Sequence, residues 1–299
     1  MHSGFGVLSA AASLSAVSIV GSSAAQVSDD RLCADQNADG LVTPTDFSAW
    51  INNFNQGSPV ADVNGDGMVS PTDFTAWIQA FNAGAGGPTC DVVLADASRV
   101  VSAIDFDGDV DVYRLFAEAG DDLLVAAGEE TTQFAVRVSL RSPSDVELDA
   151  GESNDGFKVE ASDVPEMGYY SLVVSGTPAR TGPYALTAVR IGGTLPAGVA
   201  LQSDVPVTSD IEFGDIDVFR VTVPPGASLT VAVTEADGGF ATEARLYAPD
   251  GELIDVASSD LLSEVSTTGP AVGGTYVVLV SSTNGDTVGA YTIEATTTP

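Results

Sequence analysis

Histidine is almost absent from this chain. Its 299 residues include one histidine, His2, near the N-terminus. Histidine is the commonest general base and zinc ligand in proteins and belongs to every Ser-His-Asp triad. With its one histidine at the N-terminus, the chain lacks this general base, this zinc ligand and any such triad, although an enzyme that uses only a pair of carboxylates stays open. We expect a protein that is not an enzyme.

Basic residues are also scarce. The chain has 10 Lys and Arg against 42 Asp and Glu, which gives a formal net charge of −32. Nucleic acids and anionic lipid headgroups are bound through Lys and Arg, so this polyanion repels them and attracts cations. Hydrophobic residues make up 44% of the chain, enough for packed cores, and the length suits two or three domains.

The N-terminal segment lacks charge altogether. Residues 1–25 contain no Asp, Glu, Lys or Arg, and they end in Ser23-Ala24-Ala25, where small side chains suit signal peptidase. We predict a secretory signal peptide; a buried apolar helix or a membrane anchor is the alternative. No later segment approaches the run of about 18 apolar residues that spans a bilayer. We expect a secreted protein, extracellular or at the cell surface, with no membrane insertion after signal cleavage.

An acidic motif with a central glycine occurs twice in the sequence. DQNADGLVTPTD occupies residues 35–46, and DVNGDGMVSPTD occupies residues 62–73, which begin 27 residues later. Alternate side chains can converge on a hard cation, glycine at position 6 permits the sharp turn, and position 7 needs only its carbonyl. The candidate ligands are Asp35, Asn37, Asp39, Leu41, Thr43 and Asp46, then Asp62, Asn64, Asp66, Met68, Ser70 and Asp73. Asx-rich turns are the alternative, but the duplication favours two calcium ions.

Each loop leads into a predicted helix. TPTDFSAWINNF and SPTDFTAWIQAF begin with an N-cap Thr or Ser and a proline, and an aspartate follows three residues after the cap. Asp46 and Asp73 would thus be calcium ligand and capping residue together. Apolar residues recur at helical spacing: Phe47, Trp50, Ile51 and Phe54, then Phe74, Trp77, Ile78 and Phe81. We expect the two helices to pack face to face and bury both stripes.

Two calcium loops, each followed by one helix and without the entering helix of an EF-hand, resemble a dockerin domain. The repeated PTDFxAWI is similar to the GC-type, dockerin type I-like domain, over residues 33–90. The resemblance implies a pseudo-symmetric, calcium-bound helix pair that docks to a cohesin-like or cell-envelope protein. Pro44-Thr45 and Pro71-Thr72 replace the hydroxylated pairs that commonly contact cohesin, so the identity of the partner does not carry over.

The only cysteines, Cys33 and Cys90, bracket this unit. In an exported chain such a pair predicts a disulfide that joins the two ends of the module. Closing a loop of this length stabilises the folded module by about 4 kcal/mol, because the cross-link lowers the entropy of the unfolded chain. This contribution matters for so small a module. A free thiol pair or metal thiolates are the alternatives.

The remaining two-thirds of the chain has a different composition. Tryptophan disappears, and short Val, Leu and Thr runs alternate with Gly, Pro and Asp, which is typical of β-sandwiches. Residues 109–127 align with residues 215–233 at an offset of 106. We predict two all-β, jelly-roll-like sandwich domains, over residues 91–190 and 191–299. Their strand order resembles the bacterial pre-peptidase C-terminal domain, an accessory module of secreted hydrolases.

Two further features need an interpretation. Acidic residues alternate along residues 105–111, and we interpret them as a solvated strand start, with a third calcium site as the alternative. Tyr170 and Tyr276 are expected to fill the sandwich cores. They would be sugar-stacking platforms only if exposed.

The predicted fold class is multidomain: a small α-helical calcium-loop (dockerin-like) module plus two all-β sandwich domains. The predicted function is a secreted, non-catalytic modular protein whose module docks to a partner, with the sandwiches as accessory units. One alternative is an adhesin that binds extracellular polysaccharide or protein through its sandwiches. The other is an accessory component of a polysaccharide-degrading complex with hydrolase activity, which would need two acids about 5–10 Å apart across a cleft.

Overall fold

The structure is a computed structural model. It describes residues 17–18, 25–26, 32–37, 41–64, 69–84, 92–104, 107, 109–129, 135–176, 180–236, 239–267 and 272–299. Asp39, Asp66, Met68 and Cys90 lie outside these ranges, so their predicted roles in calcium binding and in a disulfide stay predictions. The predicted signal peptide also falls mostly outside them, although its Val17–Ser18 pairs with the strand at Val207–Ile211, a pairing that cleavage would remove. None of the described helices is both long and apolar enough to cross a membrane.

Two helices follow the two acidic loops. Helix α1 spans Pro44–Asn55 and helix α2 spans Pro71–Ala83, with a short 3-10 helix at Pro59–Ala61 between them. The backbone N–H of Thr43 donates to Asp46 Oδ2 at 2.8 Å. In the second unit, the N–H of Ser70 donates to Asp73 Oδ2 at 2.8 Å. The capping role predicted for both aspartates is confirmed.

Aromatic side chains fill the space between the helices. Trp50 and Trp77 are buried, and their ring centroids lie 6.2 Å apart. Phe54, Phe74 and Phe81 pack around them.

The prediction that both apolar stripes are fully buried is wrong at their outer edge. Ile51 is 40% exposed, Ile78 is 38% exposed, and Phe47 also keeps contact with solvent. The reason is geometric: an apolar stripe covers an arc of about 100° or more, and one neighbouring helix contacts only part of that arc.

The rest of the described chain is mostly β-sandwich, built from four five-stranded sheets. The first sandwich contains β2 to β11: Ala25–Gln26, Val92–Val93, Ser98–Ile104, Val110–Ala117, Asp122–Glu129, Val136–Arg141, Glu147–Ser153, Gly156–Ala161, Gly168–Gly176 and Gly182–Ile191. Its front sheet has the order β3-β5-β10-β7-β8, and its back sheet has the order β2-β4-β11-β6-β9. Inward-facing residues of both sheets, such as Tyr113 and Leu186, share one core.

The second sandwich repeats this arrangement. It contains β1 (Val17–Ser18) and β12 to β20: Val199–Leu201, Val207–Ile211, Asp217–Val223, Ser228–Glu235, Thr242–Tyr247, Leu253–Ser259, Leu262–Ser266, Gly274–Ser282 and Gly289–Thr298. Its front sheet has the order β12-β14-β19-β16-β17, and its back sheet has the order β1-β13-β20-β15-β18. Strands 106 or 107 residues apart therefore occupy equivalent places. The boundaries predicted for the two domains stay predictions.

Tyr170 and Tyr276 lie inside the two cores, as predicted. The hydroxyl of Tyr170 donates to the carbonyl of Glu166 at 2.7 Å, and that of Tyr276 donates to the carbonyl of Val272 at 2.9 Å. Each hydroxyl is thus satisfied by the backbone four residues earlier. Neither ring is a platform for sugars.

Asp111 corrects the interpretation of the acidic strand start. This carboxylate is buried, and its Oδ2 accepts a hydrogen bond from the hydroxyl of Tyr184 at 2.5 Å. The equivalent Asp217 accepts from Tyr291 at 2.5 Å. A buried carboxylate needs hydrogen bonds to offset its lost hydration, and a core tyrosine supplies one in each sandwich. Asp105 lies outside the described residues.

The two sandwiches pack against each other through one sheet of each. The outer face of the back sheet of the first sandwich, called back face 1, covers the outer face of the front sheet of the second, called front face 2. The apolar contact consists of Leu124, Ala126, Val189 and Ile191 on one side and Ile216, Val218, Tyr247, Val277 and Leu279 on the other. Lys158 Nζ lies 2.7 Å from Glu243 Oε1, and Arg245 Nη1 lies 2.8 Å from Glu160 Oε2. The four sheets therefore form one continuous stack.

Glycines permit the close approach of the two sandwiches. Gly214 has a φ of +67°, and a Cβ added there would overlap the carbonyl of Ala185 in the first sandwich. A Cβ added at Gly156 would likewise overlap the carbonyl of Gly285 in the second sandwich. Side chains at these positions would push the sandwiches apart.

An acidic pair lies beside this interface. Burial first, and then the charge of Asp217, raise the pKa of Asp215 to about 7, while Arg99 acts in the opposite direction. Arg99 crosses the interface to reach Glu212, with Nη1 to Oε2 at 3.0 Å. Because the folded pKa of Asp215 exceeds the unfolded value of 3.8, its contribution to stability is complete below about pH 4. The contribution is lost as the pH rises through about 7.

The variant Asp215→Asn should remove this pH dependence. We expect it to raise the free energy of unfolding at pH 8.5 by on the order of 2 kcal/mol relative to wild type, with a much smaller effect at pH 4. Urea denaturation at a series of pH values measures the difference, and the exposed Asp260→Asn is the matched control. A variant effect that does not change with pH would contradict the raised pKa.

Candidate functional site

The first acidic loop is closed by Asp46. This side chain has no solvent exposure, and its Oδ1 accepts the backbone N–H of Gln36 at 2.9 Å and of Asn37 at 3.3 Å. Its Oδ2 accepts the N–H of Thr43. One carboxylate therefore ties the beginning of the loop to the N-terminus of helix α1.

The second loop has the same construction. Asp73 is fully buried, its Oδ1 accepts the backbone N–H of Asn64 at 3.1 Å, and its Oδ2 accepts that of Ser70. The amide of Asn64 donates to the hydroxyl of Thr72 at 3.1 Å, as Asn37 does to Thr45 in the first loop. In each loop, the structure thus brings predicted ligands from the beginning of the loop close to those at its end.

These donor sets fit calcium. The buried carboxylates of Asp46 and Asp73 accept N–H groups from the loop, and each oxygen has further lone pairs for a metal. Asp35, the first predicted ligand, is also buried. A set of carboxylate, amide, hydroxyl and carbonyl oxygens suits Ca²⁺ rather than a softer metal.

The metal-binding set is only partly described. Within the described ranges, no three His, Cys, Asp or Glu side chains lie close enough together to hold a metal ion. Each predicted loop has three acidic ligands, and the middle one, Asp39 or Asp66, lies outside those ranges. The two calcium ions and their full ligand sets stay predictions.

Gln36 is a connecting residue that the sequence analysis missed. Its side chain is buried, and its Nε2 donates to the carbonyl of Cys33 at 3.0 Å and to that of Val60 at 3.1 Å. Its Oε1 accepts from Asn53 Nδ2 at 3.1 Å. Gln36 therefore joins the first loop to helix α1 and to the 3-10 helix. The second loop has Val63 at the equivalent place, so the repeat carries no signal for this role.

The two tryptophans break the symmetry of the module. Trp77 Nε1 donates to the carbonyl of Ala34 at 3.2 Å. Trp50 Nε1 is buried and has no hydrogen-bond partner among the described residues. The carbonyl of Ala61, equivalent to Ala34, accepts from Val63 N–H instead. The duplication is therefore close in sequence but unequal in its contacts.

The sequence analysis also missed an aromatic pair on the first sandwich. Phe116 and Tyr169 lie opposite each other on the outer face of its front sheet, with ring centroids 5.4 Å apart and planes at 69°. Burial raises the pKa of Tyr169, and the negative charge of Asp62 adds to the effect. The beginning of the second loop therefore lies near this end of the first sandwich.

One family model matches the chain. Residues 33–82, which include both loops and both helices, match the dockerin type I domain. The dockerin resemblance is thereby confirmed for this segment. The resemblance of the sandwiches to pre-peptidase C-terminal domains stays a prediction. No curated protein is significantly similar to the chain.

Three solved structures are distantly similar to the chain. PliG from Aeromonas hydrophila, a periplasmic inhibitor of g-type lysozyme, is 16% identical over 33% of this chain and 95% of its own, with a TM-score of 0.28. The CBM22-1-CBM22-2 tandem domain of Paenibacillus barcinonensis Xyn10C is 10% identical over 66% of this chain and 93% of its own, with a TM-score of 0.21. A putative uncharacterized protein from Burkholderia cenocepacia is 8% identical over 87% of this chain and 98% of its own, with a TM-score of 0.22. Likenesses this low carry no argument about function.

Proposed function

We propose that this chain is a secreted, non-catalytic modular protein that attaches to its partner through the dockerin-like module. Two calcium ions order the loops, and the ordered helix pair docks to a cohesin-like domain of another protein, on a scaffold or at the cell surface. The two sandwiches are accessory units held on this attachment. The match of residues 33–82 to the dockerin type I domain carries the proposal.

The exposed surface of the helix pair supports docking. Ile51 and Ile78 occupy equivalent positions of the two units, and both remain exposed outside the aromatic core. Exposed aliphatic side chains on ordered helices are typical anchors of protein interfaces. Calcium contributes by neutralising the carboxylates that would otherwise repel one another, so docking depends on the metal.

The sandwiches support an accessory role. Tyr170 and Tyr276 are buried, and the exposed Phe116 and half-buried Tyr169 do not form one flat platform because their planes meet at 69°. A disulfide between Cys33 and Cys90 would close the module at the point where the first sandwich begins. Cys33 is buried against Ala80 of helix α2, a position that suits such an anchor.

The variant Ile51→Asp/Ile78→Asp should lose binding to the partner. We expect the wild-type chain to bind an isolated type I cohesin domain in calcium, and the double variant to bind at least about 100-fold more weakly, because two apolar anchors become charged. Biolayer interferometry measures the affinity, with EDTA abolishing it. Val146→Asp, at an exposed apolar side chain of the first sandwich, is the matched control.

Two results would contradict the proposal. If no member of a panel of cohesin domains binds in calcium, the docking function is wrong. If the purified chain hydrolyses a polysaccharide, the non-catalytic part is wrong.

A further inference from the structure

Among the described residues, two sheet faces of the stack have no sandwich packed against them, and these faces are of opposite kind. Back face 1 and front face 2 cover each other inside the chain. The outer face of the first front sheet (front face 1) and the outer face of the second back sheet (back face 2) have no sandwich against them. Because the two sandwiches share one topology, front face 1 is the counterpart of front face 2, and back face 2 is the counterpart of back face 1.

We propose that back face 2 of one molecule packs on front face 1 of a second copy of this chain. The contact between copies would repeat the contact inside the chain. Such an arrangement is head-to-tail, so each molecule still offers a free face at either end.

The internal contact supplies the template. Its most enclosed ion pair joins Lys158 of back face 1 to Glu243 of front face 2 at 2.7 Å, and each side chain is only 11% exposed. Burial lowers the pKa of Lys158, and the Glu243 charge counteracts this. An ion pair so enclosed tolerates no change of sign on one side alone.

The counterparts of this ion pair have the opposite signs. The residue equivalent to Lys158 on back face 2 is Glu264. Lys158 lies opposite Ala126 on the neighbouring strand, and Glu264 lies opposite Ala232. Both residues of the second pair are 106 positions later in the chain than those of the first. The residue equivalent to Glu243 on front face 1 is Arg137, which precedes it by 106 and lies 3.5 Å from Glu147 on the same face. Stacking of back face 2 on front face 1 would therefore place Glu264 beside Arg137, a complementary pair of reversed polarity.

This reversal selects which faces pair. Back face 1 on front face 1 would set Lys158 against Arg137, and back face 2 on front face 2 would set Glu264 against Glu243. Like charges in an enclosed interface oppose binding. Only the internal contact and the contact between copies bring opposite charges together.

The centre of front face 1 is apolar, as is the centre of front face 2. Val110, Val112 and Val173 occupy the places of Ile216, Val218 and Leu279, which are buried in the internal contact. Val110 is 50% exposed and the Arg137 side chain is 42% exposed, so both are open to a second copy.

Back face 2 is more polar than its counterpart. Thr230 and Thr296 stand where back face 1 has Leu124 and Val189, and the exposed Glu294 stands where back face 1 has the buried Thr187. We therefore expect the contact between copies to be weaker than the internal one and to be reversible.

The dockerin-like module leaves the contact region open. Asp62 lies near Tyr169 at the Phe116 end of front face 1. The equivalents of Phe116 and Tyr169 in the second sandwich are Thr222 and Thr275, which the internal interface leaves at least partly open to solvent. Val110 on β5 and Arg137 on β7 keep 50% and 42% exposure, and Val112 and Val173 between them are partly exposed.

Analytical ultracentrifugation of the full chain in calcium tests this proposal. We expect the average mass of wild type to rise with concentration beyond that of a dimer. Arg137→Glu and Glu264→Lys should each weaken association at least about tenfold. The double variant Arg137→Glu/Glu264→Lys should restore it, because the ion pair is rebuilt with reversed signs. Asp260→Lys, exposed and outside back face 2, controls for the change in net charge.

A mixture of the two single variants gives the sharpest result. The reversed front face of Arg137→Glu accepts the reversed back face of Glu264→Lys, and the unchanged back face of the first variant accepts the unchanged front face of the second. We therefore expect an equimolar mixture to associate about as wild type does, in alternating order, although neither variant associates alone. Wild type that stays monomeric at every concentration up to its solubility would overturn the proposal, and so would single variants that associate as wild type does. Circular dichroism verifies that each variant is folded.

Discussion

Removal of calcium should unfold the dockerin-like module while both sandwiches stay folded. Each predicted calcium loop has three acidic ligands, and its closing carboxylate, Asp46 or Asp73, is fully buried. Without a cation, mutual repulsion and lost hydration oppose this arrangement, and a module of this size has little core to compensate. The sandwiches have extended cores of their own and depend on no predicted metal ligand.

Tryptophan fluorescence isolates this event. The only two tryptophans of the chain, Trp50 and Trp77, lie between helices α1 and α2. EDTA should shift their emission to the red as they become exposed to water, while the β-sheet signal in circular dichroism persists. Added calcium should reverse the shift. A tryptophan emission that EDTA leaves unchanged would contradict metal-dependent folding of the module.

The variant Asp73→Ala should unfold the module even in calcium. It removes a predicted ligand and leaves the N–H groups of Asn64 and Ser70 without their acceptor. The loss of hydrogen bonds to a buried charged group amounts to about 3 kcal/mol or more, before the loss of metal binding is counted. Asp260→Ala, at an exposed position of the second sandwich, should leave the emission unchanged.

The variant Glu243→Ala should destabilise the contact between the two sandwiches by about 3–5 kcal/mol. Glu243 Oε1 lies 2.7 Å from both Lys158 Nζ and Arg245 Nε. Its removal deprives Lys158, which is nearly enclosed, of the carboxylate that it contacts. An unpaired buried charge costs far more than the pair contributes, because the remaining charge keeps its desolvation penalty.

Urea denaturation measures this effect. Wild-type sandwiches should unfold together, because their contact combines an apolar cluster with enclosed ion pairs. Glu243→Ala should lower the midpoint and separate the transitions of the two sandwiches. The double variant Lys158→Met/Glu243→Leu should recover most of the stability, since no charge is left unpaired.

The control is an exposed ion pair of the same kind. Glu147 lies 3.5 Å from Arg137 and 3.8 Å from Arg141 on the open front face 1. Glu147→Ala should change stability by less than about 1 kcal/mol, because water screens that pair. Equal effects of Glu147→Ala and Glu243→Ala would contradict the distinction between the two ion pairs.

Local features of the chain were predictable from the sequence. The N-caps, the prolines and the closing aspartates predicted the beginnings of both helices, and alternation of apolar residues with turn residues predicted the β-sandwich composition. These signals depend on neighbouring residues along the chain, where spacing and side-chain chemistry determine the geometry. The duplicated loops also predicted the dockerin-like segment, because two repeats of one metal-loop pattern constrain each other.

Contacts between distant segments were decided only by the tertiary structure. Asp111 turns inward because Tyr184 offers its hydroxyl in the core, and Gln36 bridges the module because Val60 and Asn53 converge on it. No local pattern encodes such partners.

The stacking of the two sandwiches also depends on contacts between segments that are distant in the sequence. Lys158 and Glu243 are 85 residues apart and meet only after two separate sheets have formed and packed. The sequence by itself determined which segments become helix, strand and acidic loop, since these follow from local periodicity and turn chemistry. The tertiary structure decided which faces are covered and which stay open, because burial and charge pairing depend on surfaces assembled from the whole chain.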